Sequence, residues 1–487
     1  MQWIYKFNFT SAKSLSKMDS SPPHLVLVMS IEVKSTLAAP KRIGGMQSPA
    51  FVLTAVGISS FMVTLDVTAV NVALPSIGDM FGLPLSALQW VASAYTLVFA
   101  SLLLSAGASS DRWGARPVFL GALTFFTLAS AACGLAHSVT ELIAARAVQG
   151  LGAAAILPSS MALLTNAFPQ ASQRARAVAV WSGISATALV AGPLIGGLLV
   201  QTLGWRSIFF VNVPVCLVVL SIAAISAGQP ATHRRAFDPV GQVLAVMALF
   251  TITFSAIEVR QYGWTSPAIV GALAIGVAAS LLFLAVEHRR REPMLPLSLF
   301  RSGTFSASVG AAFLYNLSYY GALFVLPVAL QAQGYSPLSV GVLLIPMTLS
   351  TAVFATASGW IVNAIGARSL AALGMLAGVL GAAILAVFGF TFSSMSVGGL
   401  LIGMGGGTLP LIVAAALSSL PPERVGVGSG VLNAARQSGG AMGIAVLGAL
   451  LQGATLKAGL ALTMIAAVFL AGAVLTFFFM REEPRPK

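Results

Sequence analysis

Asp66 lies inside the apolar run 51–74, within the stretch L-D-V-T-A-V-N-V-A-L-P from Leu65 to Pro75. An ionised carboxylate at mid-bilayer costs about 2.5–3.5 kcal/mol, so such residues face cavities and carry protons or bind cations. The chain's other acids fall near span ends, in loops or in tails, which makes Asp66 the leading proton site. Arg146 sits about five residues into the apolar run 141–165, roughly 7 Å below the surface where that run begins. Asp66 lies about 13 Å below the same surface, a gap that an Arg side chain bridges. A buried Asp facing an Arg stays ionised until a proton or a cationic substrate competes. Protonating Asp66 would free Arg146, and a packed interface could then switch. The competing roles are structural: a helix-to-helix hydrogen bond for Asp66 and an interfacial snorkel for Arg146.

A third ionisable group, Arg436, falls about eleven residues into the run 425–452, near the midplane. Asn433 and Gln437 flank it. One deep Asp against two deep Arg favours a neutral, anionic or zwitterionic substrate over a dication; alternatively, Arg436 binds backbone carbonyls. Further polar and aromatic residues could line a substrate cavity among apolar walls. They are Gln89, Trp90 and Tyr95 in the second run, Gln149 in the fourth, and Tyr315, Asn316, Tyr319, Tyr320 and Phe324 in the ninth. Packing or lipid contact competes for all of them.

Other chemistry is poorly represented. Cys133 and Cys216 both fall in apolar runs and read as small buried hydrophobes. No Cys or His cluster has metal-ligand spacing, no G-x-x-x-x-G-K-[ST] loop signals ATP use, and no cofactor is expected. Gly426-Val-Gly428-Ser-Gly430 mimics a dinucleotide loop but has no strand before it.

These residues need a membrane frame. Of 487 residues, 57% are hydrophobic and only 8% charged, against about 25% charged in soluble domains. Apolar runs of about 20 residues read as transmembrane helices, and the weak ten-residue alternation of a membrane barrel is absent. Fourteen spans are expected, at 51–74, 87–108, 117–136, 141–165, 177–200, 206–227, 239–257, 267–287, 305–330, 338–362, 369–390, 393–418, 425–452 and 458–480. Lys and Arg collect in the N-terminal tail, in the loops after even-numbered spans and in the C-terminal tail. On the opposite side stand Arg206, Arg260 and Lys457. Positive loops stay cytoplasmic, which puts both termini inside a cytoplasmic (inner) membrane. The net charge of +13 is then a topology signal, and no nucleic-acid partner is expected. Residues 1–49 read as a disordered cytoplasmic tail, with Met29 or Met46 as alternative starts.

The chain also repeats. The loop after the second span carries Gly107, Asp111, Arg112, Gly114 and Arg116; the loop after the tenth carries Gly359, Asn363, Gly366 and Arg368. Both fit G-x-x-x-[D/N]-x-x-G-x-R. Duplicated halves with a substrate site between them mark secondary transporters. The expected parts are a six-helix bundle over 50–227, a linker with two inserted helices over 228–304, a second bundle over 305–480 and a short tail, 481–487. Gly107 should allow close helix packing, Asp111 should accept bonds from a helix N-terminus or an Arg across the halves, and Arg116 should anchor at headgroups. The first copy, with the charged Asp111, is expected to be the stronger conformational latch.

Together these motifs resemble the major facilitator superfamily, in its fourteen-helix drug:proton antiporter branch of EmrB/QacA type, over residues 50–480. They include Leu65–Pro75, Gly107–Arg116, R-x-x-Q-G-x-G-A-A at Arg146 to Ala154 and W-R-x-x-F-x-x-N-V-P at Trp205 to Pro214. Gly334–Pro337 (G-Y-S-P) and a fifth-span segment from Gly183 to Gly197, containing Gly192, Pro193, Gly196 and Gly197, complete the set. The resemblance implies an all-α integral membrane protein with the major facilitator fold. It implies Asp66 as proton carrier and Arg146 as its modulator. It also implies a fifth helix whose Gly192-Pro193 kink suits exchange and blocks leak, although close helix packing explains those glycines too. The implied function is export of drugs or other small amphipathic compounds across the lipid bilayer, driven by protons rather than ATP. A periplasmic adaptor is a candidate partner with no sequence signal for or against it. The alternatives are an exporter of one metabolite or antibiotic, an uptake symporter and a non-transporting membrane sensor. One proton crossing 100 mV supplies about 2.3 kcal/mol, roughly a fifty-fold gradient. A single deep carboxylate therefore predicts a low proton:substrate ratio.

Overall fold

A computed structural model describes residues 48–226, 238–290, 293–421, 424–451 and 458–480. Residues 1–47 and 481–487, which hold the expected tails, lie outside the described residues, as do Arg234, Arg235, Arg291 and Lys457. No strand occurs among the described residues. In chain order the helices are α1 (Pro49–Phe81), α2 (Leu85–Trp113), α3 (Ala115–Leu135), α4 (Val139–Ala167), α5 (Ala171–Leu203), α6 (Ser207–Phe210) and α7 (Asn212–Ser226). Then come α8 (Pro239–Tyr262), α9 (Pro267–Arg289), α10 (Gly303–Ala332), α11 (Pro337–Leu343), α12 (Ile345–Ile365) and α13 (Ala367–Phe388). The last four are α14 (Phe392–Gly406), α15 (Leu409–Ser418), α16 (Val425–Ala449) and α17 (Gly459–Phe479).

Local chemistry sets several ends. Pro49 opens α1, where its missing N–H is not needed, and Gly82 closes it in the left-handed region at φ 62°. At the start of α4, Ser138 accepts from the Glu141 N–H while the Glu141 carboxylate accepts from the His137 N–H. These bonds satisfy donors that a helix start leaves orphaned. Three spans that read as continuous in sequence are instead interrupted. α6 and α7 meet at Val211, α11 and α12 at Leu344, and α14 and α15 at Gly407-Thr408. Pro214, Pro346 and Pro410 follow these breaks, and each removes a backbone N–H that a continuous helix would use.

Counting α6–α7, α11–α12 and α14–α15 as single spans, thirteen helical segments among the described residues are long and apolar enough to cross a membrane. The remaining helix, α16, has 25 residues and is enriched in Gly, Asn, Arg, Gln and Ser, which lowers its hydropathy. It is shielded from lipid by packing against α10, α2 and α8.

The helices pack in two groups. α1 lies on α5 and α7, and α4 lies on α2 and α3. α10 lies on α16, α17 and α15, while α13 packs on α14 and α17. α8 pairs with α9 and fills the groove between α2 and α16. The most apolar stretch of α9 is only 17% buried, against 83% for α10. α10 is thus the central core helix, and α9 offers its apolar surface to lipid.

On the α1–α2 loop side of the membrane, the groups are stitched together. Gln89 of α2 donates to the Ile444 and Ala445 carbonyls of α16 at 3.1 and 2.8 Å. Gln331 of α10 donates to the Val72 carbonyl of α1 at 2.9 Å, and the Leu338 N–H donates to Gln201 of α5 at 3.2 Å.

Candidate functional site

Asp66 and Arg146 form a buried ion pair, with Arg146 Nη1 2.5 Å from Asp66 Oδ2 and both residues no more than 1% exposed. Neighbouring helices complete its surroundings. Gln149, one turn beyond Arg146 on α4, donates from Nε2 to Asp66 Oδ1 at 2.9 Å and accepts Arg146 Nη1 on its own Oε1 at 2.5 Å. Asn212 of α7 donates to the same Asp66 oxygen at 3.0 Å. Ser130 of α3 gives its hydroxyl hydrogen to the Phe126 carbonyl and accepts from both amides. From α2, the Val91 carbonyl accepts Arg146 Nε, and the Tyr95 ring lies 4.4 Å from the guanidinium carbon. Phe209 of α6 closes another face at 5.8 Å.

The arrangement meets the basic requirement for a buried charge pair, since both ions are paired and hydrogen-bonded. The carboxylate accepts one charged and two neutral donors, and all of that balance changes once it binds a proton.

Several expected cavity residues take other positions. Gln149 and Tyr95 are fully buried parts of the ion-pair network instead of lining an open cavity. Gln89 is buried, donates from its amide to the Ile444 and Ala445 carbonyls of α16, and also lines a cavity with Asp79, Arg260 and Gln331, as expected of a cavity residue. On α10, Asn316 and Tyr319 are fully buried. Asn316 donates to the Ala312 carbonyl of its own helix, and the Tyr319 hydroxyl accepts from Thr351 of α12 at 3.1 Å. Asn433, Arg436 and Gln437 on α16 are part-exposed, and Arg436 donates to Asn433 Oδ1 at 2.9 Å. Arg436 Nε is buried without a partner. Part-exposed Tyr320 of α10 faces α16 near Gly440.

The repeated loops adopt one geometry twice. Gly114 and Gly366 hold φ of 94° and 83°, with ψ of 141° and 155°, in the turn before α3 and α13. Two residues later an Arg reaches the last helix of its own group. Arg116 Nη2 donates to the Ala224 carbonyl of α7 at 2.5 Å, and Arg368 stacks over Phe477 of α17 at 4.5 Å. The short turn aims Arg116 back at α7. Gly107 is not a tight packing point. A Cβ there would meet only Pro158 Cβ, at 3.9 Å. Asp111 is part-exposed, whereas Arg112 and Asn363 are exposed.

The α5 glycines are tight. A Cβ on Gly192 would overlap Thr68 Oγ1, and one on Gly196 would come within 2.9 Å of the Ala69 backbone. Both contacts lie one turn or less beyond Asp66 on α1. Gly197 faces the Pro337 carbonyl across the groups, where a Cβ would stand 2.5 Å away. α5 runs unbroken through Pro193.

Ser130 and Asn212 complete the network without having stood out in the sequence as site residues. Asn212 had a usable signal, being the Asn of the Trp205–Pro214 motif. Ser130 had none, since one Ser in an apolar run is ordinary.

A bundle of long apolar helices with an ion pair buried among them defines a multi-pass membrane protein. The chain belongs to the Major Facilitator Superfamily, whose model matches residues 56–444 and 309–487; it is a transporter and not an enzyme. It is 37% identical to the multidrug resistance protein Stp of Mycobacterium tuberculosis, over 82% of this chain and 75% of that one. It is also 37% identical to a methylenomycin A resistance protein of Streptomyces coelicolor, over 82% and 85%. Among solved structures, the POT family transporter PepTSo superposes with a TM-score of 0.67 at 13% identity, over 89% of this chain and 98% of that one. That likeness concerns the fold alone.

Proposed function

We propose that the protein is a proton-coupled antiporter that exports drugs or similar small amphipathic compounds by alternating access. Asp66 is the proton carrier and Arg146 the partner that senses its charge. The observation that carries the reading is the buried Asp66–Arg146 pair, set against the α1–α5 contact at Gly192 and Gly196. That contact gives the state of the pair a packed path toward α5, and through Gly197 to the second group. Resistance names on several relatives support export as the direction.

The six spans α1–α7 and the six spans α10–α17 act as the moving halves, and α8–α9 is an inserted pair. The excess of Lys and Arg on the α2–α3 loop side supports a cytoplasmic position for that side, in a cytoplasmic membrane. The seam of Gln89, Gln331 and Gln201 is then extracytoplasmic, which corresponds to a state closed to the outside. Arg116 and Arg368 brace the cytoplasmic loops of the two halves, and Asp111, Arg112 and Asn363 in the same loops are the latch residues. Asn433, Arg436, Gln437 and Tyr320 supply the polar side of the substrate path.

A narrower reading, export of one antibiotic, is favoured by relatives named for methylenomycin A resistance and cephamycin export. A susceptibility panel on cells expressing the wild type or Asp66→Asn tests both. Broad resistance lost in the variant supports the first reading, and resistance to one compound supports the narrower one. Equal resistance in wild type and variant removes Asp66 as the proton site.

A further inference from the structure

We propose that Asn212 is the residue that reads the protonation of Asp66, by turning its side-chain amide end for end; this rests on Asp66 being the proton carrier. Asn212 is fully buried, its Nδ2 donates to Asp66 Oδ1 at 3.0 Å and Ser130 Oγ at 3.3 Å, and its Oδ1 is buried without a partner. An orphaned amide oxygen beside a carboxylate is costly in a dry site, so its persistence needs a use.

Protonation supplies that use. A carboxylate only accepts hydrogen bonds, whereas a carboxylic acid must also donate one. Asp66 Oδ2 is held by Arg146, so the proton goes to Oδ1, which Gln149 and Asn212 share. One of these amides must then present oxygen instead of nitrogen. Gln149 is locked, because its Oε1 already accepts Arg146 Nη1 at 2.5 Å, and turning it would set NH2 against a guanidinium. Asn212 is unlocked. Its Oδ1 gives up no partner on turning, and Ser130 keeps its bonds to Gln149 and the Phe126 carbonyl. Either orientation leaves one amide atom orphaned, so the charge of Asp66 decides between them. The new O–H bond forms on Asp66 from a proton entering from water and breaks when that proton leaves; Asn212 neither gains nor loses a proton.

The titratable groups around Asp66 are Arg146 on α4, Tyr95 on α2, Cys133 on α3 and Cys216 on α7. Of these, Tyr95 also has a hydroxyl without a partner, but its ring is committed to the face of Arg146. Asn212 opens α7 directly after the break at Val211. A turned amide thus acts at a helix joint, where a small change moves α6 against α7.

Infrared difference spectra across a pH step test this on purified protein with Asn side chains carbon-13 labelled. Wild type is expected to show a protonated-carboxyl band that Asp66→Asn lacks. A labelled Asn carbonyl band should shift to lower frequency with the same midpoint, and Asn212→Leu should abolish that shift. A carboxyl band with no accompanying Asn shift overturns the role of Asn212 and leaves the carrier reading intact. No difference in the carboxyl band between wild type and Asp66→Asn overturns both. In transport, Asn212→Leu should keep substrate binding and lower proton-driven turnover about tenfold or more, equivalent to about 1.4 kcal/mol.

Discussion

The guanidinium carbon of Arg146 lies 4.4 Å from the Tyr95 ring centroid while its Nη1 donates to Asp66. The Tyr95 hydroxyl is buried without a partner, so the ring face is what this residue contributes. A desolvated cation–π contact is worth about 2 kcal/mol. Tyr95→Phe keeps that face and removes an unsatisfied hydroxyl, and should transport within about twofold of wild type. Tyr95→Leu loses the face and should lower drug efflux about tenfold or more. Fluorescent-drug efflux from cells separates the two; equal loss in both variants would show that the hydroxyl matters instead.

Gly192 and Thr68 set the spacing of α5 and α1. Thr68 Oγ1 is already tied to the Thr64 and Leu65 carbonyls, so it yields poorly to an added methyl group. Overpacking of this kind costs about 1–3 kcal/mol. Gly192→Ala should lower the melting temperature of purified protein, and Thr68→Ala in the same chain should recover most of the loss. Without that recovery, the contact with Thr68 is not what requires glycine here.

Gln89 joins α2 to α16 with two hydrogen bonds to α16 carbonyls. Each net bond contributes about 0.5–1.5 kcal/mol. Gln89→Leu should therefore shift the resting population toward opening on the α1–α2 side by about tenfold. Spin-label distances between the ends of α1 and α10 on that side report it. A distribution unchanged from wild type would place the closure elsewhere.

Most of the architecture was legible because bilayer physics writes it plainly. Long apolar runs, asymmetric Lys and Arg and a duplicated loop locate helices, while packing against α10 and α2 explains how the polar α16 fits among them. Helix rise put Asp66 and Arg146 at compatible depths, and the family resemblance paired them. The three broken spans were less visible, since Pro occurs in unbroken membrane helices as well, as Pro193 does in α5. Cavity residues were the least legible. Gln149 and Tyr95 share composition with pocket residues, but only three-dimensional packing shows that both belong to the ion pair, whereas Gln89 lines a cavity while bonding α16.

Arg436 carries the prediction on substrate charge. It lies on α16 and is part-exposed, and its guanidinium donates to Asn433, a neutral residue, at 2.9 Å. Neutral, anionic or zwitterionic compounds should be exported in preference to dications, and Arg436→Gln should reduce that preference. Robust dication export by the wild type in a susceptibility panel contradicts this assignment.

The most direct test follows protons and substrate together in proteoliposomes with an internal pH dye. Substrate added to wild type should drive a proton flux close to one per molecule moved, and Asp66→Asn should abolish that flux while still binding substrate. Coupled proton movement that survives in Asp66→Asn would contradict the assignment of Asp66 as the carrier.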